Sequence, residues 1–267
     1  MRQTCRFGSL LLTFTAGLFA QAPNDGLPPP EWTEYWSPQP ALVSAKVGEV
    51  PSDAIMLFDG SSLDAWESAN APEEKGQPRA AAAWDIIDGN LVVKAKTGDI
   101  RTKAAFGDVQ LHLEWRAPSE IKGNSQGRGN SGVFFMERYE VQVLDSHNNP
   151  TYVNGQAASV YKQYPPLVNA TQPPGTWNTY DIIFVAPRFD AGGELISPAR
   201  ITVFHNGVLT QLDVPLAGPT QWRGLTKYNY HVPRLPIKLQ DHGNPVAYRN
   251  IWIRELDLPV STITDVK

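Results

Sequence analysis

Apolar and polar residues alternate strictly from Val109 to Arg116, so that in an extended strand their side chains would point to opposite faces. The same period of two recurs along the chain, and no segment predicts a helix longer than a turn or two. The dipeptides Asp88-Gly89 and Asn206-Gly207 lie between strand-like runs and predict two-residue hairpin turns. Many short strands at close spacing predict an all-β sandwich, jelly roll or barrel.

The period-two pattern and the turn-forming residues between the runs predict twelve strands. They are Ala54–Phe58, Trp84–Ile87, Asn90–Ala95, Val109–Arg116, Gly132–Met136, Tyr139–Leu144, Ala158–Tyr161, Trp177–Val185, Ala199–His205, Val208–Val214, Leu235–Gln240 and Asn250–Leu256.

The N-terminus has the features of a secretory signal peptide over residues 1–20. Arg2 and Arg6 precede or border the short apolar stretch Phe7 to Ala20, and the only cysteine, Cys5, would be lost on cleavage after Ala20. We therefore expect a secreted protein of the bacterial periplasm or cell surface, without disulfides or a membrane span. Residues 21–51 form a Pro- and aromatic-rich extension, and residues 52–260 form the predicted domain.

The charge balance and residue spacings exclude several classes of function. The net charge of −4 argues against a nucleic-acid partner. No histidine or cysteine spacing indicates a transition-metal site, and we predict no cofactor, although the sequence leaves open a structural calcium ion bound by loop oxygens.

Polar side chains cluster from Gly127 to Asp145, where a strand would otherwise bury apolar groups. Glu140 and Gln142 share one face of a predicted strand, and a β-bulge after Gln142 would bring Asp145 to the same face. The spacing E-x-Q-x-x-D resembles the E-x-D-x-x-E strand of jelly-roll glucanases, except that the central acid is Gln. Asn130 precedes this strand, and the set predicts a sugar-binding site.

Two other segments carry candidate residues. The polar face of Val109–Arg116 includes Glu114 and Arg116, and it either meets solvent or lines a ligand groove. Lys238 and Gln240 share a face of a later strand, with Asp241 and His242 at its end. Because histidine titrates near neutral pH, His242 is a candidate for proton transfer or for polarising a carbonyl group.

Seven motifs in order resemble the 3-keto-disaccharide hydrolase family over roughly residues 52–257. The first, Leu57 to Trp66, looks like that family's opening LFDGKSLDGW. The others are Trp84–Gly89, Phe106–Arg116, Gly129–Val133, Tyr139–Asp145, Trp177–Asp181 and Leu239–Gly243 with Asn250–Arg254. The resemblance implies a single concanavalin-like jelly-roll domain of two antiparallel sheets. It also implies cleavage of glycosides whose sugar a separate dehydrogenase has oxidised at C3.

Strand-face geometry, taken with the chemistry that the resemblance implies, suggests roles for the candidate residues. Glu140 is the first choice for the base that removes the C2 proton, and Glu114 is the alternative. His242 and Arg116 would stabilise the enolate or protonate the leaving oxygen. Sugar hydroxyls would be held by the remaining polar residues, which are Asn130, Gln142, Asp145, Lys238, Gln240 and Asp241.

Two other functions are compatible with the same residues. A non-catalytic, lectin-like module would bind sugar without cleaving it, since one fold serves many functions. A conventional glycoside hydrolase would use Glu114 and Glu140 as a carboxylate pair on unoxidised sugar.

Overall fold

The computed structural model describes residues 26–258, apart from residues 35, 47, 71 and 73–75. The predicted signal peptide and Cys5 lie outside the described residues, so export remains a prediction. The chain divides into two compact units between Leu42 and Val43. The described part of the first unit contains one short 3₁₀-helix, Pro30–Thr33. The domain limits of residues 52–260 remain a prediction.

The regular secondary structure of the second unit consists almost entirely of β-strands. In chain order they are β1 Ile55–Phe58, β2 Trp66–Ser68, β3 Asp85–Ile87, β4 Asn90–Val92, β5 Ile100–Thr102, β6 Val109–Arg116, β7 Ser131–Phe135, β8 Tyr139–Val143, β9 Asn178–Val185, β10 Arg188–Phe189, β11 Leu195–Ser197, β12 Arg200–His205, β13 Val208–Pro215, β14 Lys238–Leu239 and β15 Ala247–Glu255. Two further 3₁₀-helices span Ser125–Gly127 and Val153–Gly155, and no α-helix occurs in the described ranges.

The strands form two main antiparallel sheets and one small ribbon. The larger sheet has the order β13-β12-β9-β6-β15-β4-β3, with β1 also paired to β15. The smaller sheet has the order β2-β5-β14-β7-β8, and β10 pairs with β11. The two main sheets bury one shared core, as a jelly-roll β-sandwich does. The predicted fold class is confirmed.

The core explains why the alternation of β6 is so strict. Val109, Leu111, Leu113 and Trp115 are fully buried in the core cluster, and the intervening residues are only partly buried. The apolar positions of β7 and β8 meet them from the smaller sheet, among them Phe135. Complete burial of a side chain of this size stabilises the folded state by about 1.5–3 kcal/mol. A strand that turned its other face to the core would lose this stabilisation at every apolar position, so burial determines which face of β6 points inward.

The two hairpin predictions are confirmed by backbone geometry. Asp88 and Gly89 have φ angles of 50° and 72°, and Asn206 and Gly207 have 54° and 75°. Both central residues of a type I′ turn need such positive angles.

Two strand predictions differ most from the structure, and the short strands β2, β5, β10 and β11 are not predicted. Residues 158–161 form bridges and hydrogen bonds to β8 rather than a strand, and the predicted strand Leu235–Gln240 shrinks to β14. The three-residue strands β2 and β5 are missed because so short a segment shows no periodicity.

Candidate functional site

The outer face of the smaller sheet carries the candidate base. On β8, Tyr139, Val141 and Val143 belong to the core, so the alternating Glu140 and Gln142 point to the opposite side of the sheet. Glu140 is nevertheless only 4% exposed and Gln142 only 1%. Loops therefore cover these two side chains from outside.

A pocket of about 330 Å³ lies on this face. It brings together five of the residues that the sequence nominates, which are Asn130, Glu140, Gln142, Gln240 and His242. Four further lining residues were not nominated, namely Phe134, Tyr161, Thr220 and Trp222. Phe134, Tyr161 and Thr220 lie in loops or at a strand position outside every sequence motif, so nothing in the sequence marks them. Trp222 is exposed, and an aromatic residue in a polar loop is a signal that could have indicated a binding role.

Burial changes the acidity of Glu140. Loss of hydration raises the pKa of its carboxyl group from the ordinary 4.5 to about 8, a rise that Lys238 opposes and Asp99 reinforces. Lys238 itself is held in place, because its Nζ lies 2.6 Å from Oδ2 of Asp99 and 4.0 Å from the ring centroid of Phe134. A carboxyl group with a pKa near neutrality can both accept and donate a proton at physiological pH.

Two covering loops are tied directly to the backbone of Glu140. Its N–H donates to Oγ1 of Thr220 at 3.0 Å, and its carbonyl oxygen accepts from the N–H of Tyr161 at 3.2 Å. The walls of the pocket are therefore fixed relative to the carboxyl group that they surround.

The amide of Gln142 can accompany either protonation state of Glu140. In one orientation it donates to Oε1 of Gln126 at 2.9 Å, which leaves its own oxygen towards Glu140, where a neutral carboxyl group can donate to it. In the reversed orientation its nitrogen lies 3.1 Å from Oε1 of Glu140 and can donate to a carboxylate, but its oxygen then faces Oε1 of Gln126 at 2.9 Å, so the amide of Gln126 must turn with it.

Asn130 has an acceptor that the protein leaves unused. Its backbone N–H donates to Oδ1 of Asn244 at 2.7 Å, and its Nδ2 donates to the carbonyl oxygen of Gln126 at 2.6 Å. Its Oδ1 is buried without a hydrogen-bond partner among the described residues. Since a buried polar atom without a partner costs free energy, this oxygen is suited to accept a hydrogen bond from a ligand hydroxyl.

Asp145 does not join Glu140 in the pocket. The pairing of β7 with β8 keeps a continuous register, so the expected bulge after Gln142 is absent. The strand ends at Val143, and Asp145 instead forms a buried ion pair with Arg128 at 2.7 Å. Both residues line a different cavity, of about 290 Å³.

Asp241 holds the backbone together near the end of β14. Its Oδ2 accepts from the N–H of Gly98 at 3.1 Å, and its Oδ1 accepts from the N–H of Gly243 at 2.9 Å. It does not line the pocket of Glu140, whereas its neighbours Gln240 and His242 do. Lys238 also lies beside the pocket rather than among its lining residues.

Glu114 and Arg116 lie on the other sheet. Glu114 is ion-paired with Arg249 at 2.7 Å, and the guanidinium group of Arg116 lies 4.6 Å from the ring centroid of Trp177. Since Glu114 and Glu140 both alternate with core residues, each faces away from the core between the sheets. The structure therefore does not bring Glu114 or Arg116 together with Glu140.

The described ranges contain no group of three or more His, Cys, Asp or Glu side chains placed to hold a metal ion. They also contain no helix of the length and apolarity that a membrane span needs.

Comparisons with known proteins identify the family of this chain. A family model described as a 3-keto-alpha-glucoside-1,2-lyase-like domain matches residues 53–254. The chain belongs to this family. It is 24% identical over 253 residues to a 3-keto-disaccharide hydrolase of Bacteroides thetaiotaomicron, a match that covers 78% of this chain and 81% of the relative.

A solved structure of a candidate glycosyl hydrolase from Parabacteroides distasonis ATCC 8503 is also similar. It has a TM-score of 0.78 and 47% identity, over 85% of this chain and 97% of that chain. A second such structure from the same organism, at 20% identity and a TM-score of 0.55, shares the fold. At the coarse level, the family, the relative from Bacteroides thetaiotaomicron and the structure at 47% identity support an enzyme that acts on glycosidic bonds.

Proposed function

We propose that this protein cleaves 3-keto-glycosides by removing the C2 proton, eliminating the group at C1 and adding water. The observation that carries the proposal is a buried carboxyl group, Glu140, with its pKa raised to about 8, inside an open pocket lined by amides and a histidine. Perturbed acid–base groups in a cleft are typical of catalytic sites.

The ketone at C3 determines the chemistry. It acidifies the proton on C2, so a carboxylate can take that proton while the electrons move into an enolate. The enolate then expels the oxygen at C1, which breaks the glycosidic bond and leaves a C1–C2 double bond. Addition of water across this bond gives the free 3-keto-sugar.

A single carboxyl group is enough for the elimination. Glu140 takes the proton from C2 and, because its pKa is high, it holds that proton until the leaving oxygen needs it. A retaining glycosidase instead needs two carboxylates about 5–5.5 Å apart. Glu114 and Glu140 lie on different sheets with the core between them, so they do not form that pair.

Donors in the pocket would stabilise the negative charge on the enolate. We assign this role to His242, whereas Gln240 would hold a sugar hydroxyl; both line the pocket with Glu140. Arg116, the other donor considered from the sequence, lies on the larger sheet. Each fixed donor to a developing oxyanion contributes about 10²–10³-fold in rate. The unused Oδ1 of Asn130 would accept from a sugar hydroxyl.

The comparisons support this reaction in two ways. The family description names a 1,2-lyase, and the relative from Bacteroides thetaiotaomicron is named a hydrolase. Elimination followed by hydration would account for both names. The proposal also requires a separate sugar C3-dehydrogenase to supply the ketone, and the N-terminal sequence predicts that the reaction takes place outside the cytoplasm.

A substrate comparison tests the proposal. We expect the protein to release monosaccharide from a 3-keto-disaccharide and to leave the unoxidised disaccharide intact, as measured by chromatography of the products. Binding of the keto-sugar without cleavage would instead support a lectin-like module. Cleavage of an aryl glucoside that has no ketone would support a conventional hydrolase and would overturn the elimination mechanism.

A further inference from the structure

A row of two side-chain amides, Gln126 and Gln142, ends at the carboxyl group of Glu140. Nε2 of Gln142 donates to Oε1 of Gln126 at 2.9 Å. The other end of the Gln142 amide lies 3.1 Å from Oε1 of Glu140 and 3.1 Å from the carbonyl oxygen of Ser131. Gln126 is not among the residues that line the pocket of Glu140, so its link to that carboxyl group runs through Gln142.

Two acceptors fix the far end of this row. Nε2 of Gln126 donates to Oγ1 of Thr151 at 2.9 Å and to the carbonyl oxygen of Gly155 at 2.9 Å. Because a carbonyl oxygen can only accept, these contacts turn the oxygen of Gln126 towards Gln142. The nitrogen of Gln142 then faces Gln126, and its oxygen faces Glu140. A neutral Glu140 can donate to this oxygen, whereas a carboxylate is repelled by it.

The two ends of the row compete for donors. When two amides hydrogen-bond to each other in a row, only one of the two outer ends carries N–H groups. At one outer end lies the carbonyl oxygen of Gly155, and at the other lie the carbonyl oxygen of Ser131 and the carboxyl group of Glu140. Turning both amides together keeps the hydrogen bond between them and transfers the donors from Gly155 to Ser131 and Glu140. The hydroxyl group of Thr151 can follow this change, because it can donate as well as accept.

We propose that Gln126 and Gln142 form a two-position amide relay, in which Gln126 is a positioning residue that holds the arrangement suited to neutral Glu140. Loss of the proton from Glu140 favours the reversed arrangement, in which Gln142 donates to the carboxylate. The relay gives Glu140 a hydrogen-bond partner both before and after it takes a proton, as an acid–base group needs. The role of the relay in catalysis rests on the proposed function, whereas its effect on the proton affinity of Glu140 does not.

Other groups around Glu140 also influence its charge. The titratable groups that act on it or lie beside it from other parts of the chain are Lys238, Asp99, His242, Tyr152, Tyr161 and Tyr248. Burial raises the pKa of Glu140 most, Lys238 lowers it and Asp99 raises it further. In the described part of the chain, the side chain of Gln126 hydrogen-bonds to Thr151, Gly155 and Gln142 and to none of these six groups. A change at Gln126 therefore tests the relay without removing a charge.

Titration of Glu140 by carboxyl ¹³C NMR tests the relay directly. The full-length protein is labelled at Cδ of glutamate, and the signal of Glu140 is assigned by its loss in Glu140→Gln. Gln126→Met keeps the length of the side chain and removes the acceptor that holds the nitrogen of Gln142. The carbonyl oxygen of residue 126, which accepts from Nδ2 of Asn130, is kept because it belongs to the backbone. Gln172→Met, at an exposed loop position outside the pocket, is the matched control.

Gln126→Met should free Gln142 to donate to the carboxylate. The titration midpoint of Glu140 should then fall from about 8 by about one pH unit or more, and Gln172→Met should leave it unchanged. In a Gln142→Met background, Gln126→Met should cause no further shift, because the relay is already broken. An unchanged or raised midpoint in Gln126→Met, or an equal fall in the Gln142→Met background, would overturn the relay.

The kinetic consequence is measured separately with a 3-keto-glycoside. In Gln126→Met the pH profile of kcat/KM should shift by about as much as the titration midpoint, whereas a purely structural defect would lower the rate at every pH without a shift. A shifted titration with an unshifted rate profile would support the relay and exclude Glu140 as the base. Absence of turnover in the unmodified protein would reject the proposed function, and the NMR titration would still decide the relay.

Discussion

The side chain of Glu140 occupies the space beside Gly132, where a Cβ atom would lie 2.5 Å from Oε1 of Glu140. The same Cβ would lie 2.9 Å from Cε2 of Phe134. Gly132→Ala should therefore displace the carboxyl group, and a displacement of about 1 Å can cost about 10²-fold in rate. Measurement of kcat/KM with a 3-keto-glycoside tests this expectation.

The fold should tolerate Gly132→Ala because both groups that it meets are the far ends of side chains. We expect the thermal midpoint to fall by an amount equivalent to about 1–3 kcal/mol, the usual cost of overpacking. Gly127→Ala is the matched control, since its Cβ would meet nothing within 4 Å. Full activity in Gly132→Ala would show that the position of the Glu140 carboxyl group does not limit the reaction.

Removal of the proposed base should stop turnover. Glu140→Gln keeps the size of the side chain and its backbone hydrogen bonds to Thr220 and Tyr161, so only the proton transfer is lost. We expect kcat to fall by about 10²–10⁴-fold. Glu114→Gln is the comparison, because Glu114 lies on the other sheet and pairs with Arg249. Loss of turnover in Glu114→Gln, with activity kept in Glu140→Gln, would exchange the two roles.

The same substitution should make the protein more stable in alkaline solution. The pKa of Glu140 is raised in the folded state, so its neutral form contributes stability that is fully present below pH 4.5 and is lost as pH rises through about 8. Each unit of pKa difference corresponds to about 1.4 kcal/mol. Glu140→Gln stays neutral and should show a higher thermal midpoint than the unmodified protein at pH 9, with a smaller difference at pH 4. Equal thermal midpoints of Glu140→Gln and the unmodified protein at pH 9 would mean that burial does not disfavour the charged form of Glu140.

The rate should rise with pH if Glu140 acts as the base. Only the carboxylate can accept the C2 proton, so kcat/KM should increase about tenfold per pH unit below about 8 and level off above it. The profile of kcat/KM from pH 5 to pH 10 reports the pKa in the free enzyme. A profile that falls through pH 8 would indicate that Glu140 must be protonated and acts as the acid.

The sequence predicts the sandwich well because the period of two is imposed by burial on one side of each strand. The alternation of β6 is visible in the residues themselves and matches the observed burial along the whole strand. The face on which Glu140 and Gln142 point is predictable for the same reason. The sequence does not predict how far these two residues lie from Glu114. Polar residues that alternate with core residues show the same pattern on the outer faces of both sheets, so the pattern does not tell which sheet a residue belongs to.

The loops that close the pocket could not be read from a repeating pattern. Tyr161 reaches Glu140 through its backbone N–H, which any residue can supply, so its type carries little information. Thr220 uses its side-chain hydroxyl, but a lone threonine in a loop has no pattern that marks this contact. The bulge that would have placed Asp145 beside Gln142 was expected only because bulges are common near active sites, and no residue in the sequence marks one. The register of β7 with β8 leads on to Gly129 and Asp145, where the backbone N–H of Asp145 donates to the carbonyl oxygen of Gly129, so no extra residue turns Asp145 to the face of Gln142.

Neighbouring residues at the end of β14 should have different mutational effects. Gln240 lines the pocket, so Gln240→Ala should raise KM for a 3-keto-glycoside and change the thermal midpoint little. Asp241 accepts from the backbone N–H groups of Gly98 and Gly243, and hydrogen bonds to a charged acceptor contribute about 1.5–3 kcal/mol each. Asp241→Ala should therefore lower the thermal midpoint and affect the kinetics only through the position of His242. Thermal unfolding and steady-state kinetics on both variants separate the two roles, and a rise in KM confined to Asp241→Ala would assign the sugar contact to Asp241.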